Sequence, residues 1–181
     1  MKKIAYIVLA LAIAVGLFWF RSGRNAADSG ATTGAATTGG GEGMLIIETA
    51  YGTIEAELFP KDAPKTVARI RELAQKGFYN GLSFHRVVPG FVVQGGDPSG
   101  NGTGGSGQNL QAEFNSREHV EGTLAMARAA DPNSADSQFY ISLGRHPHLD
   151  HNYTVFGQVT KGMDAVKKIK HGDKMTKVTA K

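Results

Sequence analysis

The chain has 181 residues, 41% of them apolar, with 24 glycines and no cysteine. The missing cysteine excludes disulfides, thiolate metal sites, a cysteine nucleophile and the lipid-attachment cysteine of bacterial lipoproteins. Half of the net charge of +4 lies near the N-terminus, where Lys2, Lys3, Arg21 and Arg24 outweigh Asp28 and Glu42. The near-neutral remainder argues against nucleic-acid binding.

Residues 1–24 read MKKIAYIVLALAIAVGLFWFRSGR, in which 17 uncharged residues, Ile4 to Phe20, stand between Lys3 and Arg21. At about 1.5 Å rise per residue this is near the short end of a bilayer span. Trp19 sits at the boundary, where an indole prefers the interface. A cleaved signal peptide is the rival, but Arg21 and Arg24 stand where a cleavage site wants small neutral residues. The expectation is an uncleaved membrane anchor with the rest of the chain outside the cytoplasm, or a secreted protein if the segment is cut. Residues 25–43 are rich in Gly, Ala and Thr and read as a flexible linker.

Residues 44–181 form the folded domain. MLIIETA is a strand, and GTIEAEL alternates Ile54, Ala56 and Leu58 against Thr53, Glu55 and Glu57, the period of a half-buried strand. Pro64 opens a helix with the apolar stripe Val67, Ile70, Leu73 and Ala74, and Gly77 stops it. Short strand-like runs follow: SFHRVV, FVVQG, GTLAMA, QFYIS, TVFGQV and MTKVTA. A second helix fits residues 164–170. Many short strands, glycine turns and two helices suggest a closed or sandwiched β fold.

Few segments carry reactive groups. Residues 102–107 read GTGGSG and match GxGxxG, but the residues after it show no helical stripe, so a wide loop is the better reading than a phosphate cradle. His146, His148, Asp150 and His151 crowd into HPHLDH, but Pro147 suggests a loop, and surface histidines are expected rather than a metal site. No GxSxG elbow is present, and Asp97 before Pro98 reads as a turn residue. Asn101 and Asn152 begin glycosylation sequons, meaningful only in a eukaryotic secretory pathway. Arg86 stands between Phe84-His85 and Val87-Val88. Alternation puts Phe84 and Arg86 on one face, and the arginine either snorkels to water or faces a cleft; the pattern leaves both open.

At these residues the chain resembles the cyclophilin family of peptidyl-prolyl cis–trans isomerases. The carriers are ELFPKDAPKTVARIRELAQKGFYNGLSFHR, FHRVVPGFVVQGGDPSGNGTGG, GTLAMARAADPNSADSQFYIS and LDHNYTVFGQVTKGMDAVKKI, in family order. The resemblance implies an eight-stranded antiparallel closed β-barrel capped by two α-helices, with the site on its outer face. It implies isomerisation of X–Pro bonds in unfolded or newly exported proteins, with no cofactor or metal, acting as a monomer on proline-containing polypeptides. A membrane-tethered chaperone or scaffold that binds such peptides without turnover is the alternative.

By the same resemblance Arg86 matches the catalytic arginine. Gln94 matches the glutamine that bonds the substrate backbone and helps hold that arginine. Phe91, Val92, Met126, Tyr140 and Leu149 match the apolar proline pocket. Ala127, Arg128 and Gln138 match the groove that aligns the peptide. His148 stands where well-known members carry a tryptophan that contacts cyclosporin A, Tyr153 where many have histidine, and Arg128 where asparagine is common. The loop over 130–136 is one residue longer than usual.

Overall fold

A computed structural model describes residues 43–181. The expected anchor, and all of the expected linker except Gly43, lie outside the described residues. No helix among the described residues is long and apolar enough to cross a membrane.

The first hairpin follows from alternation. Strands β1 (Met44–Thr49) and β2 (Gly52–Leu58) pair antiparallel, with Thr49 opposite Gly52. Thr49 fastens the turn: its Oγ1 accepts from the Tyr51 amide at 3.1 Å and donates to the Gly52 carbonyl at 2.8 Å. Ile54, Ala56 and Leu58 are buried, as their period of two predicts.

Helix α1 (Pro64–Gln75) buries the expected stripe of Val67, Ile70, Leu73 and Ala74. Its first amides are met from far along the chain: the Glu113 carboxylate accepts from Lys65 N at 2.9 Å and Thr66 N at 2.8 Å. A negative group there also complements the helix dipole. At the other end Gly77 N donates to Ala74 O and Phe78 N to Leu73 O, the paired bonds of a Schellman stop.

Six further strands complete the sheet: β3 (Arg86–Val88), β4 (Val92–Gly95), β5 (Thr123–Met126), β6 (Phe139–Ser142), β7 (Val155–Lys161) and β8 (Lys177–Ala180). The eight strands run in the order β3-β4-β6-β5-β7-β2-β1-β8, and every pairing is antiparallel. Register shifts at Glu55/Ala56 and Leu124/Ala125, both facing β7, bend the sheet around its concave side. That side holds the main core, including Ile47, Ile54, Leu124, Phe139, Ile141 and Phe156.

Two expectations are corrected. The sheet is open rather than a closed barrel, with β3 and β8 as its edges. Between them stand one isolated bridge, Ser83 to Lys174, and amide bonds such as Phe84 N to Asp173 O at 2.8 Å. A full ladder does not form because β3 begins only at Arg86 and β8 only at Lys177, beyond the irregular stretches that meet at Ser83 and Lys174. The second helix, expected over 164–170, is a single turn, α2 (Met163–Val166). The Asp173 carboxylate takes the Lys170 amide at 2.7 Å, an amide a continuing helix would need for its own ladder.

Candidate active site

The convex face of the sheet carries a second, smaller apolar cluster. Val92, Ala125, Tyr140, Leu149 and Val155 are buried there, flanked by Phe59, Phe91, Ala127 and Tyr153. Alternation explains it: Val93, Leu124, Met126, Phe139 and Phe156 point into the main core, so their neighbours in sequence point out. Cross-strand register then aligns the polar members. Arg86 lies opposite Gln94, Gln94 opposite Tyr140, and Tyr140 opposite Ala125, one row across β3, β4, β6 and β5.

Arg86 is exposed, and its Nη1 donates to Gln94 Oε1 at 3.3 Å. Its guanidinium carbon lies 5.8 Å from the centre of the Phe91 ring. Gln94 Nε2 donates to Gln138 Oε1 at 3.0 Å, and Gln138 Nε2 donates to the carbonyls of Gly102 at 3.1 Å and Gly104 at 2.8 Å. The bonds run in one direction, so the Gln94 carbonyl oxygen is the atom turned towards the arginine. The expectation that Phe84 shares a face with Arg86 is corrected: Phe84 is fully buried in the main core. The strand starts at Arg86, so the period of two does not extend back to residue 84.

Phe91 forms one wall. His148 stacks on it at 5.9 Å with 19° between the rings, and His146 meets it edge-on at 4.8 Å while its Nε2 bonds the Phe91 carbonyl at 3.0 Å. A 3₁₀ turn, Pro147–Leu149, sets His148 on the surface and Leu149 in the cluster. Tyr140 and Tyr153 meet edge-on at 6.0 Å. Arg128 lies 4.7 Å over the Tyr153 ring and ties two loops together, donating to the carbonyls of Asn152, Ala129 and Ala130.

One predicted residue falls elsewhere. Met126 is 1% exposed and packs in the main core, on the opposite face of β5 from Ala125 and Ala127. Ala125, Val155 and Phe59 join the cluster and were not anticipated. Applying the strand period backwards from Ala127 would have found Ala125; no local signal marks Phe59.

Beside the notch runs a groove of about 300 Å³ lined by Gln94, Gly102, Gly104, Ala127, Arg128 and Gln138. Two carboxylates shape its glycine-rich wall. Asp97, buried, accepts from the amides of Ser99, Asn101 and Gly102 at 2.7, 3.0 and 2.6 Å. Asp136 accepts from Gly107 N at 2.9 Å, Gln108 N at 3.2 Å and the Ser106 hydroxyl. A Cβ on Gly104 would overlap Asp97, and one on Gly105 would overlap Asp136. The amides of Gly102, Thr103, Gly107 and Gln108 are thus already bonded to side chains of the protein. The HPHLDH side chains also disperse: Asp150 meets His119 and Arg145, and His151 bonds the Asn115 carbonyl. Among the described residues no group of three or more His, Asp or Glu is placed to hold a metal ion.

Burial works to raise the Asp97 carboxyl, but its three amide donors outweigh burial and hold it below its ordinary 3.8. Such a group stabilises the fold fully above that value, and the contribution is lost as pH falls through the lower, folded value. Asp97→Asn should therefore destabilise the protein at neutral pH by about 1–3 kcal/mol and blunt the loss of stability in acid. Urea denaturation of both proteins at neutral pH and in acid measures this; equal stabilities at neutral pH would show that the carboxylate is not what holds the loop.

The chain matches the family model described as cyclophilin type peptidyl-prolyl cis-trans isomerase/CLD over residues 44–181. It is 47% identical over 137 residues to a peptidyl-prolyl cis-trans isomerase of Synechococcus elongatus, covering 75% of this chain and 94% of that one. It is 49% identical over 127 residues to peptidyl-prolyl cis-trans isomerase B of Bacillus subtilis, covering 69% and 88%. Its fold is similar to the crystal structure of a Cryptosporidium parvum cyclophilin-type isomerase obtained in the presence of the dipeptide Ala-Pro. That match has a TM-score of 0.70 and 29% identity, covering 75% of this chain and 97% of that one. The family match, the relatives and the row of Arg86, Gln94 and Tyr140 beside an apolar notch agree: the chain belongs to the cyclophilin-type peptidyl-prolyl cis–trans isomerases.

Proposed function

We infer that this chain is a peptidyl-prolyl cis–trans isomerase that works by favouring the twisted imide over both planar forms. The observation that carries the mechanism is the Arg86 guanidinium, held by Gln94 at the rim of an apolar notch. An X–Pro bond rotates over a barrier of ~18–20 kcal/mol set by amide resonance. As the bond twists, resonance is lost and the prolyl nitrogen becomes pyramidal and gains a lone pair. A hydrogen bond donated to that lone pair exists only in the twisted state, which is the differential binding a catalyst requires. No bond is made or broken, so no nucleophile or titrating base is needed, and a guanidinium supplies a permanent donor.

The remaining residues have complementary roles. Phe91, Val92, Tyr140 and Leu149 hold the proline ring, with His148 and Tyr153 at the rim. Gln94 steadies Arg86 and offers a hydrogen-bonding amide to the peptide backbone. Ala127, Arg128 and Gln138 align the flanking residues in the groove. Support for peptide as ligand comes from the related structure obtained with Ala-Pro and from a groove that shares Ala127 with the notch and reaches Gln94, the partner of Arg86.

A protease-coupled assay on an Ala-Pro tetrapeptide tests this. Catalysed interconversion by the wild-type chain is expected; binding of the peptide with interconversion at the uncatalysed rate would leave a binding module instead. The clients we propose are extended, proline-containing segments of unfolded or newly exported proteins, met by a monomeric domain tethered through residues 1–24. The tether reading rests on the uncharged run between Lys3 and Arg21. N-terminal sequencing of the mature protein, with protease accessibility in intact cells, should find the segment uncut and the domain outside; a new N-terminus after residue 24 would overturn it.

A further inference from the structure

A hydroxyl on the floor of a proline pocket is an anomaly. Tyr140 is 5% exposed among Val92, Ala125, Leu149 and Val155, where an unpaired O–H is unfavourable. Its hydrogen-bond partner among the described residues is His119 Nε2, at 3.0 Å. His119 is itself fully buried, and its Nδ1 lies 3.1 Å from Asp150 Oδ1, which also accepts from the His119 amide at 2.8 Å. Arg145 closes the chain, 2.6 Å from Asp150 Oδ2 and 3.1 Å from Glu118. None of His119, Asp150 or Arg145 lines the notch.

We propose that Asp150 and His119 are positioning residues for proline binding: together they hold the Tyr140 hydroxyl turned away from the notch, so that a tyrosine can serve as an apolar floor. The proposal rests on the reading of the notch as a proline pocket. The direction of the bonds follows from donor count. Asp150 is held ionised, because Arg145 and the His119 amide more than offset the effect of its burial. An ionised carboxylate only accepts, so His119 carries its hydrogen on Nδ1. In the neutral ring Nε2 is then bare, and the tyrosine must donate to it.

The arrangement also makes the pocket sensitive to acid. Burial pushes the His119 imidazole below its ordinary 6.5, although Asp150 works against that shift. The other groups facing it are Tyr140, the edge of Tyr153, Arg145, Glu118 through Arg145, and His146. When His119 does take a proton, Nε2 becomes a donor. The Tyr140 oxygen must then accept, and its hydrogen swings into the apolar notch with nothing to receive it.

The test measures peptide Kd by calorimetry and turnover in the same samples, for wild type, Tyr140→Phe, His119→Leu and the double variant. His119→Leu should weaken binding about tenfold, the effect of one stranded buried donor, and should fall more on Kd than on kcat. Adding Tyr140→Phe should recover most of that loss, because no hydroxyl remains to be satisfied. Additive losses in the double variant would overturn the relay. If His119→Leu does not fold, the pH profile decides with the remaining pair. Wild-type Kd should rise as pH falls below the ordinary histidine range, and Tyr140→Phe should lack that rise; identical profiles would contradict the proposal. Calorimetry reads the relay through binding alone, so absent wild-type turnover would remove the isomerase reading without being mistaken for failure of the relay.

Discussion

Arg86→Ala is expected to lower kcat/KM on an Ala-Pro peptide by about one to two decades while peptide affinity changes by less than about threefold. The size follows from one charge-assisted hydrogen bond, ~1.5–3 kcal/mol, made in the twisted state and absent from the planar ones. The asymmetry follows from geometry. Arg86 is exposed at the edge of the notch, bonded to Gln94 at 3.3 Å and 5.8 Å from the centre of the Phe91 ring, and its removal leaves the ring-holding side chains, Phe91 included, in place. Arg86→Lys should recover part of the rate, since it restores a donor charge but not the planar fork that Gln94 holds. Should alanine weaken binding as much as turnover, the guanidinium is part of the ground-state site and the twisted imide is stabilised by something else.

The second large effect is one of stability. Gly96→Ala is expected to cost about 2–4 kcal/mol, from a strained backbone together with a steric clash. Gly96 has φ of +86°, and a Cβ there would stand 2.5 Å from the Ser137 carbonyl and 3.2 Å from Gln138 Cα and the Tyr79 ring. Those neighbours cannot yield cheaply: Tyr79 is fully buried and its hydroxyl donates to the same Ser137 carbonyl at 3.1 Å. Any relief would move Gln138, which anchors Gln94, so turnover should fall with stability. Gly90→Ala is the control. Its φ of +71° imposes similar strain, but nothing lies within 4 Å of the added atom, so a loss of only ~1–2 kcal/mol is expected. Urea unfolding of both variants measures the difference, and equal losses would show that the clash at Ser137 is relieved at no cost.

Much of this was legible in the sequence wherever the cause was local. The alternation of Ile54, Ala56 and Leu58 and the stripe of Val67, Ile70, Leu73 and Ala74 announced β2 and α1 because burial there follows chain periodicity. The site residues Arg86, Phe91 and Gln94 came from a resemblance, while periodicity alone left Arg86 undecided. Where periodicity was extended too far it misled. It puts Phe84 on the face of Arg86 although the strand has not yet begun. Met126 came to the pocket from the resemblance instead, and there the period of β5 is the better guide, since its neighbour Ala125 faces the pocket. The rest depended on long-range pairing. Sheet closure turns on how residues 81–84 meet 172–175, and the Glu113 cap of α1 spans 48 positions. The carboxylate that orients His119 lies 31 residues further on. No local window contains both partners of such contacts.

The most direct measurement is exchange NMR on an Ala-Pro tetrapeptide with a substoichiometric amount of protein, since it reports cis/trans interconversion and binding shifts in one sample. Wild type should show cis/trans exchange cross-peaks absent from buffer alone, where interconversion takes tens to hundreds of seconds. Arg86→Ala should retain the binding shifts and lose the cross-peaks. Cross-peaks that persist undiminished in the alanine variant, or that never appear with folded wild-type protein, would contradict the account.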